Sequence, residues 1–205
     1  MTQELVFYTN PRSRGVVVQW ALEEIGAPYR TEILEFGTTM KAPAYLAINP
    51  MGKVPAIRHG GQVVTEVGAI LAYLAGAFPE AKLGPQPGHE GAWCRWLFFA
   101  ASCGDAALMS RMTGLEPKTP EHQGMMGFGS FEHTFKTLED HLKGRTYVAG
   151  TRFSVADIDT CSLLNFAKHM GQIGDNAVFD AYCATHNARP AAQRTRAIME
   201  KAIAA

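Results

Sequence analysis

The chain has 205 residues, 47% of them hydrophobic and 19% charged, with nineteen basic residues against nineteen acidic ones. That length suits one large or two small domains with a substantial core, and the balanced charge gives no overall field to attract nucleic acid or an anionic membrane. The opening MTQELVFYTN lacks a basic segment followed by an apolar stretch of signal-peptide length, and no run approaches a membrane span. A cytoplasmic protein with no nucleic acid and no membrane among its partners is therefore expected.

Leu5 to Tyr8 forms a short apolar strand broken at Asn10 and Pro11. Val18, Ala21, Leu22 and Ile25 then fall at i, i+3, i+4 and i+7 of a helix that stops at Gly26. Tyr29 to Leu34 alternates as a second strand, and Met40 to Ile48 reads as a short helix. Val54 to Arg58 and Gln62 to Val64 make a hairpin across Gly60 and Gly61, and Ile70, Tyr73, Leu74 and Ala77 restore helical spacing. The order is βαβαββα. Pro55 sits in this pattern where a proline cannot donate a ladder hydrogen bond. Either it starts the strand after a turn of Met51, Gly52 and Lys53, or its peptide bond is cis and turns the Val54 N–H and C=O outward toward an extended guest peptide.

Past Phe78 and Pro79 comes LGPQPGHEG, after which the periodicity is helical throughout. The expected division is 1–80, a linker at 81–90, and an all-α part at 91–205. Trp93, Trp96, Leu97 and Ala100 begin a helix that runs to about Met112, and Phe131, Phe135, Leu138 and Leu142 form another stripe. In FSVADI, Ser154 caps a helix and Asp157 returns the bond, with Phe153 and Ile158 at the staple positions. The cysteines, Cys94, Cys103, Cys161 and Cys183, show no CxxC spacing, and three fall in helical segments, so reduced core residues are expected rather than disulfides or a metal site. The glycines of GMMGFGS follow no strand, which argues against a cofactor loop. The seven histidines show no paired metal spacing, and no metal is assigned.

Four features in this order resemble the glutathione transferase family: FYTNPRSRG at 7–15, NPMGKVPAI at 49–57, TEVGAILAYL at 65–74 and FSVADI at 153–158. The resemblance covers nearly the whole chain. It implies a thioredoxin-like α/β N-terminal domain, an all-α C-terminal domain and a homodimer. It also implies a cis Val54–Pro55 bond, with the Val54 backbone pairing antiparallel with the cysteinyl unit of glutathione, the cosubstrate.

A free thiol has a pKa of about 8.5, so only a few per cent is thiolate at pH 7, and the thiolate is the nucleophile. A hydroxyl at the N-terminus of the first helix is suited to stabilise it, because the O–H and the free helix N–H groups both face negative charge. The resemblance places Ser13 there as the catalytic residue of serine-type and cysteine-type members. Tyr8, Thr9 and Asn10 are its rivals, and helix capping alone is the plainer role. No cysteine stands among residues 12–15, which disfavours dithiol exchange by the protein itself.

For the rest of glutathione, Lys53 is the first candidate to meet the glycyl carboxylate, with Lys41 second, while Glu66 suits the amino group. Val67 departs from the family, which commonly has a serine there to bind the γ-glutamyl carboxylate. A hydrogen bond to a charged group contributes roughly 1.5 to 3 kcal/mol, so affinity about tenfold weaker is expected. Asp105 resembles the acidic residue that some members extend across the dimer to the glutathione amine. A small hydrophobic electrophile is expected between the domains, near Trp96, Phe99, Met109, Met112 and Phe128, where methionines accept varied shapes. Glutathione-dependent peroxide or disulfide reduction, and a binding protein that has lost glutathione, are the alternatives.

Overall fold

The computed structural model describes residues 4–204; Met1, Thr2 and Gln3 of the expected first domain and Ala205 of the second lie outside the described residues. The chain divides into two compact units, one from residues 1–82 with 189–205 and the other from 83–188.

In the first unit, β1 (Leu5–Thr9), β2 (Arg30–Ile33), β3 (Ala56–His59) and β4 (Gln62–Thr65) form a sheet in the order β2-β1-β3-β4. β1 is parallel to β2 and antiparallel to β3, and β3 is antiparallel to β4. Every residue of β1 is buried, as a central strand covered on both faces requires. Val6 and Tyr8 point to one face, against Met40, Tyr45 and Ala56. Helix α1 (Gly15–Ile25) buries Val17, Val18, Ala21 and Leu22 and ends at Gly26, whose N–H reaches the Leu22 carbonyl at 2.9 Å. Gly60 and Gly61, at φ 56° and 81°, make the expected two-residue hairpin turn. The short helix α2 (Pro43–Leu46), preceded by a 3-10 turn at Thr39–Lys41, occupies only part of the span read as helical, because Pro43 starts a new turn. Helix α3 (Val67–Ala77) closes the fold that the sequence predicts.

The last helix, α10 (Pro190–Ala204), belongs to this first unit, although the sequence division keeps all of 91–205 together. Arg189 donates twice to the Glu24 carboxylate, at 2.6 and 2.8 Å, and Arg194 donates to the Glu23 carboxylate at 2.9 Å and the Glu23 carbonyl at 2.7 Å. The Trp20 indole N–H also reaches Glu24, at 3.0 Å. The Glu24 side chain is only 10% exposed, so losing its forked partner leaves a nearly buried charge. Arg189→Ala is expected to destabilise the protein by about 1–3 kcal/mol, read as a lower urea midpoint; an unchanged midpoint would show that apolar packing alone holds α10 to α1.

The second unit is helical: α4 (Glu90–Phe98), α5 (Asp105–Met112), α6 (Pro120–Met125), α7 (Phe131–Leu142), α8 (Val155–His169) and α9 (Ala177–Asn187). Between α4 and α5 the expected continuous helix carries a π-helical stretch, Phe99–Gly104. A Cβ on Gly104 would stand 2.3 Å from the Leu163 side chain on α8, which accounts for a glycine at this crossing. The Ser154–Asp157 box forms as expected at the start of α8, and Phe153 and Ile158 are buried. Cys161 and Cys183 are core thiols, but the expectation fails for Cys94, which is exposed, and Cys103 is half-buried. Trp93, Trp96 and Leu97 turn the apolar stripe of α4 inward and leave position 94 on the other side.

Candidate functional site

The β1–α1 loop is fixed by Asn10. Its side chain donates to the Leu34 carbonyl at 2.8 Å and accepts from the Arg12 N–H at 2.9 Å, while its carbonyl accepts the Ser13 N–H at 3.0 Å and the Ser13 hydroxyl at 2.6 Å. Asn10 and Thr9 are 3% and 2% exposed, and Tyr8 packs its ring against Tyr45 in the core. Of the four candidates only Ser13 is not buried. Its Oγ accepts the N–H of Gly15, the first residue of α1, at 3.0 Å, so the hydroxyl satisfies one of the free N–H groups of the first turn. A Cβ on Gly15 would fall 1.9 Å from the Thr9 hydroxyl oxygen, so a side chain there would displace the buried Thr9 side chain.

The second segment is 49–55, and the Val54–Pro55 bond is cis. The carbonyl of Lys53 accepts the Tyr45 hydroxyl at 2.5 Å and the Asn49 amide at 2.8 Å. The Lys41 ammonium donates to the carbonyls of Met51 and Gly52, at 3.1 and 2.9 Å. Gly52, at φ 55°, has the Met40 carbonyl 2.9 Å from where a Cβ would stand, so both its backbone and its surroundings require glycine. Lys41 is thus engaged with the loop's own backbone, whereas the Lys53 side chain is exposed. Burial raises the Tyr45 hydroxyl above its ordinary range and keeps it a donor. Sequence reasoning missed Tyr45 and Asn49; the Asn-Pro pair before a glycine was the available signal for an Asn-built turn.

The third segment is the entry to α3. Glu66 precedes the helix at φ 66° and ψ 125°, a conformation rare for a residue with a side chain, and no side chain caps this N-terminus. Such a backbone costs of order 1–3 kcal/mol and persists where the surroundings enforce it, often at ligand sites. Glu66→Gly is expected to raise the urea midpoint by the equivalent of about 1 kcal/mol, the relieved strain less the added freedom of the unfolded chain. A lowered midpoint would mean that Glu66 makes contacts worth more than the strain. Val67, half-buried, is the first helical residue.

The sheet register brings these segments together. Tyr8 pairs with Ala56, and Ala56 with Thr65. The Ser13 loop leaves the sheet after β1, Val54 and Pro55 enter it before β3, and Glu66 leaves it after β4, all at the edge marked by that row. A groove of about 410 Å³ runs beside Thr9, Pro11, Ile33 and Met199, and a hollow of about 460 Å³ lies at the other end of the sheet, near Leu5 and His59.

Asp105, half-buried, begins α5 in the second unit. Trp96, expected near an electrophile, is 2% exposed and stacks on His141 at 3.8 Å, so it is core; Met109 is 38% exposed, and Phe99, Met112 and Phe128 are half-buried. Among the described residues no group of three or more His, Cys, Asp or Glu is placed to hold a metal ion, and no helix is long and apolar enough to cross a membrane.

Residues 3–76 match the family described as glutathione S-transferase, N-terminal domain. Glutathione S-transferase 1 of Schizosaccharomyces pombe is 31% identical over 163 residues, covering 74% of this chain and 70% of that protein. Elongation factor 1-gamma of Artemia salina is 32% identical over 146 residues, covering 66% of this chain, which spans only 32% of that longer protein. A sphingomonad glutathione S-transferase, solved in complex with glutathione, superposes with a TM-score of 0.77 at 27% identity, over 95% of this chain and 98% of that one.

Proposed function

Because the chain belongs to the glutathione transferase family, we propose that it binds reduced glutathione at this sheet edge and conjugates it to small hydrophobic electrophiles. Ser13 is the residue proposed to hold the thiolate. The observation that supports this most is the shared row of Tyr8, Ala56 and Thr65, which delivers a half-exposed hydroxyl, the Val54 backbone and the uncapped start of α3 to one edge.

On binding, the glutathione thiol gives its proton to solvent and the sulfur becomes the acceptor for the Ser13 hydroxyl. That hydroxyl must leave the Asn10 carbonyl, a neutral acceptor, for a charged one, and charge-assisted bonds are about twice as strong. The Gly15 N–H, already donating to Oγ, polarises the O–H and strengthens it as a donor. The thiolate then attacks the electrophilic carbon; a C–S bond forms and the leaving group departs with its electron pair. Val54 offers its backbone to the cysteinyl unit, Lys53 its ammonium to the glycyl carboxylate, and Glu66 its carboxylate to the amino group. Asp105 is assigned to the glutathione of a partner copy in a homodimer, a role that sedimentation of a monomer at micromolar concentration would remove.

Val67 gives a second reading its force, that of a protein with the family fold that no longer uses glutathione. On the first reading the N–H groups of α3 still receive the γ-glutamyl carboxylate, and Val67→Ser is expected to tighten glutathione about tenfold by adding one bond to a charged group. Calorimetric titration of the protein and the variant with reduced glutathione, with the ultraviolet absorbance of bound thiolate, tests both readings. Heat and a thiolate signal support the transferase; no binding by either protein supports the second reading.

A further inference from the structure

Cys161 on α8 and Cys183 on α9 take no part in the chemistry proposed above, and both are free thiols. The Cys183 sulfur lies 3.9 Å from the Cys161 carbonyl oxygen. The Asn165 amide donates to the Cys161 sulfur at 3.5 Å, and the Cys161 thiol donates to the Asn187 side-chain oxygen at 3.7 Å. Asn165 and Asn187 exchange two amide hydrogen bonds, at 2.9 and 3.1 Å, which pin α8 to α9 beside the thiols. Cys161 is sealed at 0% exposure, whereas Cys183, 9% exposed, lines a cavity of about 310 Å³ with Asn165, Lys168, Asp180 and Asn187. Cys183 thus opens onto a cavity of mixed polar and apolar lining, while Cys161 beside it is closed to solvent.

We propose that this pair is a site of oxidative modification, at which a small hydroperoxide entering the cavity converts the two thiols into a Cys161–Cys183 disulfide. The peroxide O–O bond breaks at Cys183, giving its sulfenic acid and one water or alcohol. The Cys161 sulfur then forms the S–S bond and displaces the hydroxyl, which leaves as water with the Cys161 proton. The peroxide gains two electrons and the two thiols lose them; two equivalents of an external thiol reverse the reaction by exchange. The neighbouring Cys183 and burial push the Cys161 thiol well above its ordinary range, which slows the second step.

The test is treatment of the whole folded protein with hydrogen peroxide, followed by unfolding in an alkylating agent and tryptic mass spectrometry. Peptides 153–168 and 169–194, which carry the two cysteines, are expected joined, lighter by two hydrogens than their sum, and separated by dithiothreitol. Mixing isotopically heavy and light protein before oxidation is expected to give no mixed pair. Recovery of both cysteines alkylated, a sulfinic acid on Cys183 without the bridge, linkage to Cys94 or Cys103, or a heavy–light pair would each overturn the proposal. In Cys183→Ala, Cys161 is expected to stay fully alkylatable after the same treatment.

Discussion

Ser13→Ala is expected to slow conjugation about tenfold at pH 6.5 and to move the rising limb of the pH–rate profile upward by about two units. The size follows from thiol chemistry: a thiol held near pKa 6.5 is half ionised at that pH, against about one per cent at the ordinary 8.5. The weaker base gives back part of that gain, since thiolate reactivity falls with a Brønsted slope of about 0.4–0.5. The deficit should therefore shrink as the pH approaches 9, and Ser13→Thr, which keeps a hydroxyl, should recover much of the rate. The structure adds a control. Ser13 also accepts the Gly15 N–H, so the alanine variant loses a helix cap and about 1 kcal/mol of stability. If rate and profile stay unchanged while stability falls by that amount, Ser13 is a cap and nothing more.

What could be read in advance was what one segment states by itself. The buried run of β1, the Gly60–Gly61 turn and the Ser154–Asp157 box are local signals, and each forms as the residues predict. Side-chain bonds between distant segments were not legible. Nothing in the neighbourhood of Lys41 shows that its ammonium will hold the carbonyls of Met51 and Gly52, and Asn10 gives no sign of Leu34. Amphipathic spacing tells that a helix has a face to bury but not against which neighbour, so α10 could not be assigned to α1 from its own stripe. The π-helical stretch between α4 and α5 carries no breaker residue until Gly104, and that glycine answers to Leu163 on another helix.

Asp157→Ala is expected to be the most destabilising single change in the second unit, by about 3–5 kcal/mol, or about 6–20 °C in Tm for a chain of this size. Asp157 is 0% exposed and does more than close its box. Oδ2 accepts the Ser154 N–H at 2.9 Å and the Ser154 hydroxyl at 3.2 Å, and Oδ1 accepts the Val148 N–H at 2.7 Å and the Tyr182 hydroxyl at 2.8 Å. Removing the carboxyl strands several donors away from water, each costing about 1–3 kcal/mol. Burial also pushes this carboxyl from 3.8 up to about 6, although the four hydrogen bonds pull the other way. The folded state then binds the proton more tightly than the unfolded chain. The resulting stabilisation is complete below about pH 4 and is lost as the pH rises through about 6, a swing of about 3 kcal/mol at 1.36 kcal/mol per unit. Asp157→Asn has no such titration, so its deficit relative to the parent should be largest near pH 4 and should narrow by about that amount by pH 8. The neutral acid fits because Ser154 Oγ can turn to accept its proton, whereas the asparagine NH₂ would have to face either two donors at Oδ2 or two at Oδ1. Urea midpoints of both proteins across that range decide the matter; a gap that stays constant with pH would mean that Asp157 is ionised in the folded protein throughout, held so by its four donors.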